Sequence, residues 1–87
     1  MKSVAYQILM KVLEDSLGIV ILEKEKEDFS ISDYIYDSIV FIQFIVALEN
    51  ELKIDLSDDF LDFELLHSAN GFAEKLDSFL RLSQKNN

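Results

Sequence analysis

The stretch from Ile39 to Leu48 constrains this chain more than any other feature, because Gln43 is its only polar residue. On a helix such a segment is apolar nearly all round. It must be buried on several sides or used to bind something. Ile39, Ile42, Ile45 and Val46 fall in one sector, and Phe41, Phe44, Leu48 and Leu52 in another. Ala47 lies between them and permits close packing. The run is too short to span a bilayer, which takes ~20 apolar residues. It therefore predicts a central helix in a small core.

The rest of the chain supports an all-α reading. There are no prolines and only two glycines, Gly18 and Gly71, so few breakers interrupt helices. A first helix is expected from about Ser3, its cap, to Leu17, with Val4, Ile8, Val12 and Leu13 as its buried stripe. Gly18 stands where a left-handed C-terminal cap belongs. Residues 19–37 read as a long connection. Ile19 to Leu22 should pack on the core as loop, because no second strand signal exists to pair with it. The charge run Glu23 to Asp28 reads as solvated, and Phe29, Ile31, Tyr34 and Ile35 should pin the remainder.

The second helix is expected to open at Asp37-Ser38, either of which can cap it, and to end near Lys53. Ser57 or Asp58 can cap a short third helix through Phe60, Phe63 and Leu66. Ser68 or Asn70 can cap a fourth, with Phe72, Leu76, Phe79 and Leu80 buried. Residues 83–87 read as a polar, frayed tail. The expectation is one domain over residues 1–87: three main helices plus one short one, with a long loop between the first two.

Charge and chemistry narrow the function. Eight Lys and Arg against seventeen Asp and Glu give a net charge of −9. That argues against nucleic acid and anionic membrane surfaces, and it suits either partners with basic patches or simply the solubility of a small protein. Cysteine is absent, and His67 is the single histidine. No disulfide, thiolate nucleophile or multi-histidine metal centre is expected, and no GxSxG elbow accompanies any serine. His67 reads as a capping or surface residue. Met1-Lys2-Ser3-Val4 shows no secretory pattern. The absence of cysteine fits a cytoplasmic location, and a monomer is expected.

At the second helix the sequence becomes specific. Asp33-Tyr34-Ile35-Tyr36-Asp37-Ser38-Ile39 opens it, Ala47-Leu48-Glu49-Asn50-Glu51-Leu52 closes it, and Ile54-Asp55-Leu56-Ser57-Asp58 follows. This spaced set resembles the acyl carrier protein and peptidyl carrier protein family, over essentially the whole chain. Gly18 also resembles the family's glycine after the first helix. Asp-Ser alone is no motif, since Asp15-Ser16 and Asp77-Ser78 repeat it without the downstream pattern.

The resemblance implies an acyl-carrier-like bundle that is not itself an enzyme. It implies that Ser38 receives 4′-phosphopantetheine from coenzyme A through a separate phosphopantetheinyl transferase. The arm then holds acyl or aminoacyl cargo as a thioester. It implies that Asp37 assists the transferase's metal site, alongside any capping role, and that a loading enzyme and a downstream synthase or transferase are partners. Ile39, Ile42 and Val46 are the expected apolar contacts, and Glu49 reads equally as a contact with basic partner residues or as part of a solvated face. Three departures stand out. Ile35 and Tyr36 replace a glycine-bearing approach to the serine, and Ser57 stands where proline is common. Val40 and Gln43 replace early acidic residues of the second helix. Docking should then rely less on charge and more on apolar contact, as in a dedicated carrier of a specialised pathway. The competing expectation is a non-covalent adaptor that binds a partner through the second helix.

Overall fold

The structure is a computed structural model that describes residues 3–21 and 28–85. Three helices carry the fold: α1 (Val4–Lys11), α2 (Ser38–Leu52) and α3 (Ala69–Lys85). Among the described residues there is no strand. α1 packs chiefly on α3, and α2 lies against the end of the first helical segment.

Ser3 caps α1, accepting from the Tyr6 N–H at 3.1 Å. Past Lys11 the segment continues as a π-helical turn, Val12–Ser16. Its widened geometry sends the Leu17 N–H to the Val12 carbonyl at 3.1 Å and the Ile19 N–H to the Leu13 carbonyl at 2.9 Å. Gly18 then takes a left-handed φ of 68°, as expected of the residue that stops the helix. The buried face differs from the expected stripe. Val4 is exposed, while Ala5, Tyr6 and Leu9 join Val12 and Leu13 in the core.

The described parts of the connection from α1 to α2, residues 17–21 and 28–37, pack in places on the core, although Val20 is exposed. Ile21, Phe29, Ile31 and Ile35 are buried, and a single 3-10 turn forms at Ile31–Asp33. Leu22 and most of the charge run, Glu23 to Glu27, lie outside the described residues. Asp28 is described, and it is not merely solvated. Its Oδ1 accepts from the Phe29 and Asn70 N–H groups, each at 2.9 Å, and its Oδ2 accepts from Ser68 Oγ. Ser68 in turn accepts from the Gly71 N–H at 3.0 Å, and the Ala69 N–H reaches the Phe29 carbonyl at 2.8 Å. The loop is thus stitched to the start of α3, whose orphan N–H groups need such partners.

Desolvation pushes the Asp28 carboxyl up, but the hydrogen bonds from Ser68 and from the Asn70, Phe29 and Ala69 backbone outweigh it. The carboxyl is held below its ordinary value of 3.8. A lowered folded-state value stabilises the fold above about pH 4, and this contribution disappears as pH falls through the lowered value. Thermal melts should therefore show wild type above Asp28→Asn at pH 7. The gap should close below about pH 4. A gap that stays constant from pH 7 to pH 3 would contradict the assignment.

The expected short third helix is replaced by two 3-10 turns, Asp58–Phe60 and Phe63–His67, parted at Leu61-Asp62. Asp62 caps the second, accepting from the Glu64 N–H at 2.9 Å. The break lets Phe60 turn fully inward while Phe63 stays part-exposed, its ring 4.6 Å from that of Phe41. Phe63 is therefore a cover over Phe41 rather than a core residue. The core itself is an aromatic stack: Phe72 lies 5.4 Å from Phe44 and 5.8 Å from Phe60, with Phe79 5.4 Å beyond Phe60. α3 runs to Lys85, into the segment expected to fray, and Asn86 and Asn87 lie outside the described residues.

Candidate functional site

Asp37 and Ser38 divide the start of α2 between them. Asp37 is the extended residue before the helix, and its Oδ1 accepts from the Ile39 N–H at 2.7 Å. Ser38 is the first helical residue and is exposed. The capping role belongs to Asp37, so the fold does not require the Ser38 hydroxyl for it. Just upstream, Ile35 is fully buried and Tyr36 is 83% exposed. Ile35 thus anchors the approach to the serine from within, where a glycine would leave it loose.

Four of the other serines occupy different settings. Ser3 and Ser68 are engaged as caps, Ser68 also donating to Asp28. Ser16 ends the π-helical turn, at the negative end of the helix dipole. Ser78 sits in the middle of α3, and its neighbour Asp77 pairs with Arg81 at 3.0 Å. Ser38 combines exposure with the positive end of a fifteen-residue helix whose first turn holds no acidic residue.

Down the same helix the apolar sectors separate. Phe41, Phe44, Ile45 and Leu48 are buried, so Ile45 belongs to the core and not to the outer sector. Ile39, Ile42 and Val46 are 67%, 56% and 46% exposed. With Tyr36 they form an exposed apolar face beginning at Ser38. From Ser38 to Leu48 α2 bears no charged side chain, and contiguous exposed apolar surface of this kind marks interaction sites.

Glu49 has a role within the fold. Its Oε2 accepts from the Leu56 N–H at 2.8 Å, folding the following loop back onto α2. Lys53 closes the helix in a left-handed conformation, φ 59°. Glu51 pairs with Lys11 at 2.9 Å, which raises the lysine pKa through the hydrogen bond and the carboxylate charge. His67 is a surface residue 3.3 Å from Glu64, and the cap of α3 is Ser68.

A family model described as the phosphopantetheine attachment site matches residues 7–76, which include the whole of α2 and both loops flanking it. This chain belongs to that family. No curated protein and no solved structure gives a match. The chain is thus a non-catalytic carrier to which 4′-phosphopantetheine is covalently attached, and it works with a phosphopantetheinyl transferase, loading enzymes and synthases. Among the described residues no helix is long and apolar enough to cross a membrane.

The start of α2 fits such a group. A phosphodiester brings a negative charge, and the first-turn N–H groups and helix dipole favour it there by roughly 0.3–1 kcal/mol. When bound, the arm supplies a terminal thiol that joins cargo as a thioester. The cysteine-free chain offers no competing thiol. Four further residues, Ser16, Leu17, Gln43 and Asn50, were given no binding role by the sequence. With Ile42, Val46 and Ala47 they line a groove between the end of the π-helical turn and α2. The spacing Ile42, Val46, Asn50 is the sequence cue that could have found it.

Proposed function

We propose that Ser38 is the attachment residue and that this carrier serves a specialised biosynthetic pathway. The observation that carries the first part is the exposed Ser38 opening α2 beside an Asp37 that already caps it. Ser38 Oγ attacks the pyrophosphate of coenzyme A. An Oγ–P bond forms, the P–O bond to the nucleotide breaks, and adenosine 3′,5′-bisphosphate leaves. The serine proton passes to the transferase or to solvent. In this reading Asp37, the neighbouring exposed carboxylate, meets the transferase's metal ion.

The second part rests on the composition of α2. A general carrier steered by charge would want acidic side chains on this face, because complementary fields raise encounter rates. Here Tyr36, Ile39, Ile42 and Val46 face outward instead. Partner enzymes should carry a matching apolar surface, with charge attraction supplied by the rest of a −9 chain. Glu49, tied to Leu56, contributes less to such contacts than those three aliphatic residues. Acyl or aminoacyl cargo is chosen by the loading enzyme.

The test is the intact mass of the purified chain after incubation with coenzyme A and a broad-specificity transferase. A gain of one phosphopantetheine is expected. No gain, under conditions that load a control carrier, selects the non-covalent adaptor that binds through α2. A general fatty acid synthase should turn over the loaded protein poorly, and turnover equal to that of its own carrier would contradict the specialised role.

A further inference from the structure

We propose that the groove between Leu17 and the Ile42–Val46 face of α2 is a resting site for the pantetheine arm. This inference rests on Ser38 as the attachment point.

The first argument is position. Ser38, Ile42 and Val46 succeed one another at four-residue spacing, so the groove starts one turn below the hydroxyl and runs along the helix that carries it. The second is length. At 1.5 Å per residue, Val46 lies about 12 Å and Asn50 about 18 Å along the axis from Ser38. From phosphate to thiol the arm has the backbone bonds of a peptide between four and five residues long, roughly 15–17 Å extended. An arm laid down from Ser38 ends between the levels of Val46 and Asn50.

The third argument is chemical match. Beyond its phosphate the arm is uncharged, with a dimethyl-substituted carbon, a hydroxyl and two amides. None of the seven residues lining the groove is charged, in a chain of net charge −9. Leu17, Ile42, Val46 and Ala47 offer apolar surface to the methyl and methylene groups. Ser16, Gln43 and Asn50 hold donors and acceptors for the amides and hydroxyl. The groove measures ≈ 490 Å³, within the range of small-ligand sites, roughly 300–1,000 Å³. It is open along its length, so the arm rests there and leaves without any opening of the core. In the core, Phe44, Phe60 and Phe72 are fully buried and lie ring against ring.

The experiment compares amide and methyl NMR spectra of the apo and holo full-length protein. Resonances of Leu17, Val46, Gln43 and Asn50 should shift on loading, along with those next to Ser38. In holo Val46→Asp, with its added mass confirmed, the shifts at Leu17 and Asn50 should be lost. Shifts confined to the first turn of α2 in the loaded protein would overturn the resting site and leave the attachment standing. So would Leu17 and Asn50 shifts that survive in Val46→Asp. Absence of any mass gain at Ser38 would overturn the attachment, and the resting site with it.

Discussion

Ser38→Ala should abolish the phosphopantetheine mass gain entirely while leaving the melting temperature close to that of wild type. The two halves of this result follow from different atoms. Loading needs a nucleophilic oxygen at this position, and alanine has none. Stability does not need it, because Asp37 makes the capping bond to the Ile39 N–H. Alanine is at least as good a helix former as serine, and the position is exposed, so the change should stay within about 0.5 kcal/mol. Asp37 provides the contrast. Asp37→Ala removes the cap and should cost about 1 kcal/mol. Asp37→Asn keeps a capping oxygen, so it should nearly restore stability. If the carboxylate serves the transferase's metal, Asp37→Asn should still load slowly. Intact mass and thermal denaturation, measured on the same samples, separate these effects. Full loading of Ser38→Ala would move the attachment to another hydroxyl.

Much of this fold was readable because local chemistry and global packing agree in α2. A capping residue and an apolar run at helical spacing point the same way, and α2 spans Ser38–Leu52, with Lys53 closing it in a left-handed conformation that the sequence did not announce. Gly18 was equally legible, since a left-handed φ is the one thing glycine supplies cheaply. What escaped was non-local. Asp28 looked like the end of a charge run, and its partners Ser68 and Asn70 are 40 and 42 residues away. No spacing rule joins them. Val4 fitted the apolar stripe of α1, but the helix is rotated so that Ala5, Tyr6 and Leu9 are the buried residues and Val4 is exposed. The short third helix failed for a related reason. Phe60, Phe63 and Leu66 have helical spacing, yet the chain must turn Phe60 into the aromatic stack, and it breaks at Leu61-Asp62 to do so. At the site, the motif marked Asp37 and Ser38. It could not mark the groove, because Ser16 and Leu17 reach α2 only through tertiary packing.

Phe72→Ala should be the most damaging single substitution in the core, and its effect should reach α2. Phe72 is fully buried on α3 and lies between Phe44 of α2 and Phe60 of the 3-10 turn. Deleting a buried ring costs about 3–5 kcal/mol in transfer and cavity terms. Total stability for a domain of this kind is about 5–15 kcal/mol, so about a fifth or more of it is at stake. At about 4–8 °C per kcal/mol, the melting temperature should fall by more than ten degrees. Phe63→Ala is the control. It too loses an aromatic neighbour, Phe41, but it is part-exposed and opens no closed cavity. Its cost should be about 1 kcal/mol. The pair tests where the core lies, because sequence alone ranks both phenylalanines alike. Because Phe44 locks α2 through Phe72, the damaged variant should also lose the ordered amide resonances of the Asp37–Ile39 turn before it unfolds. A Phe72→Ala protein that melts within a few degrees of wild type, or a Phe63→Ala protein that melts lower, would show that the aromatic stack is not what holds α2 in place.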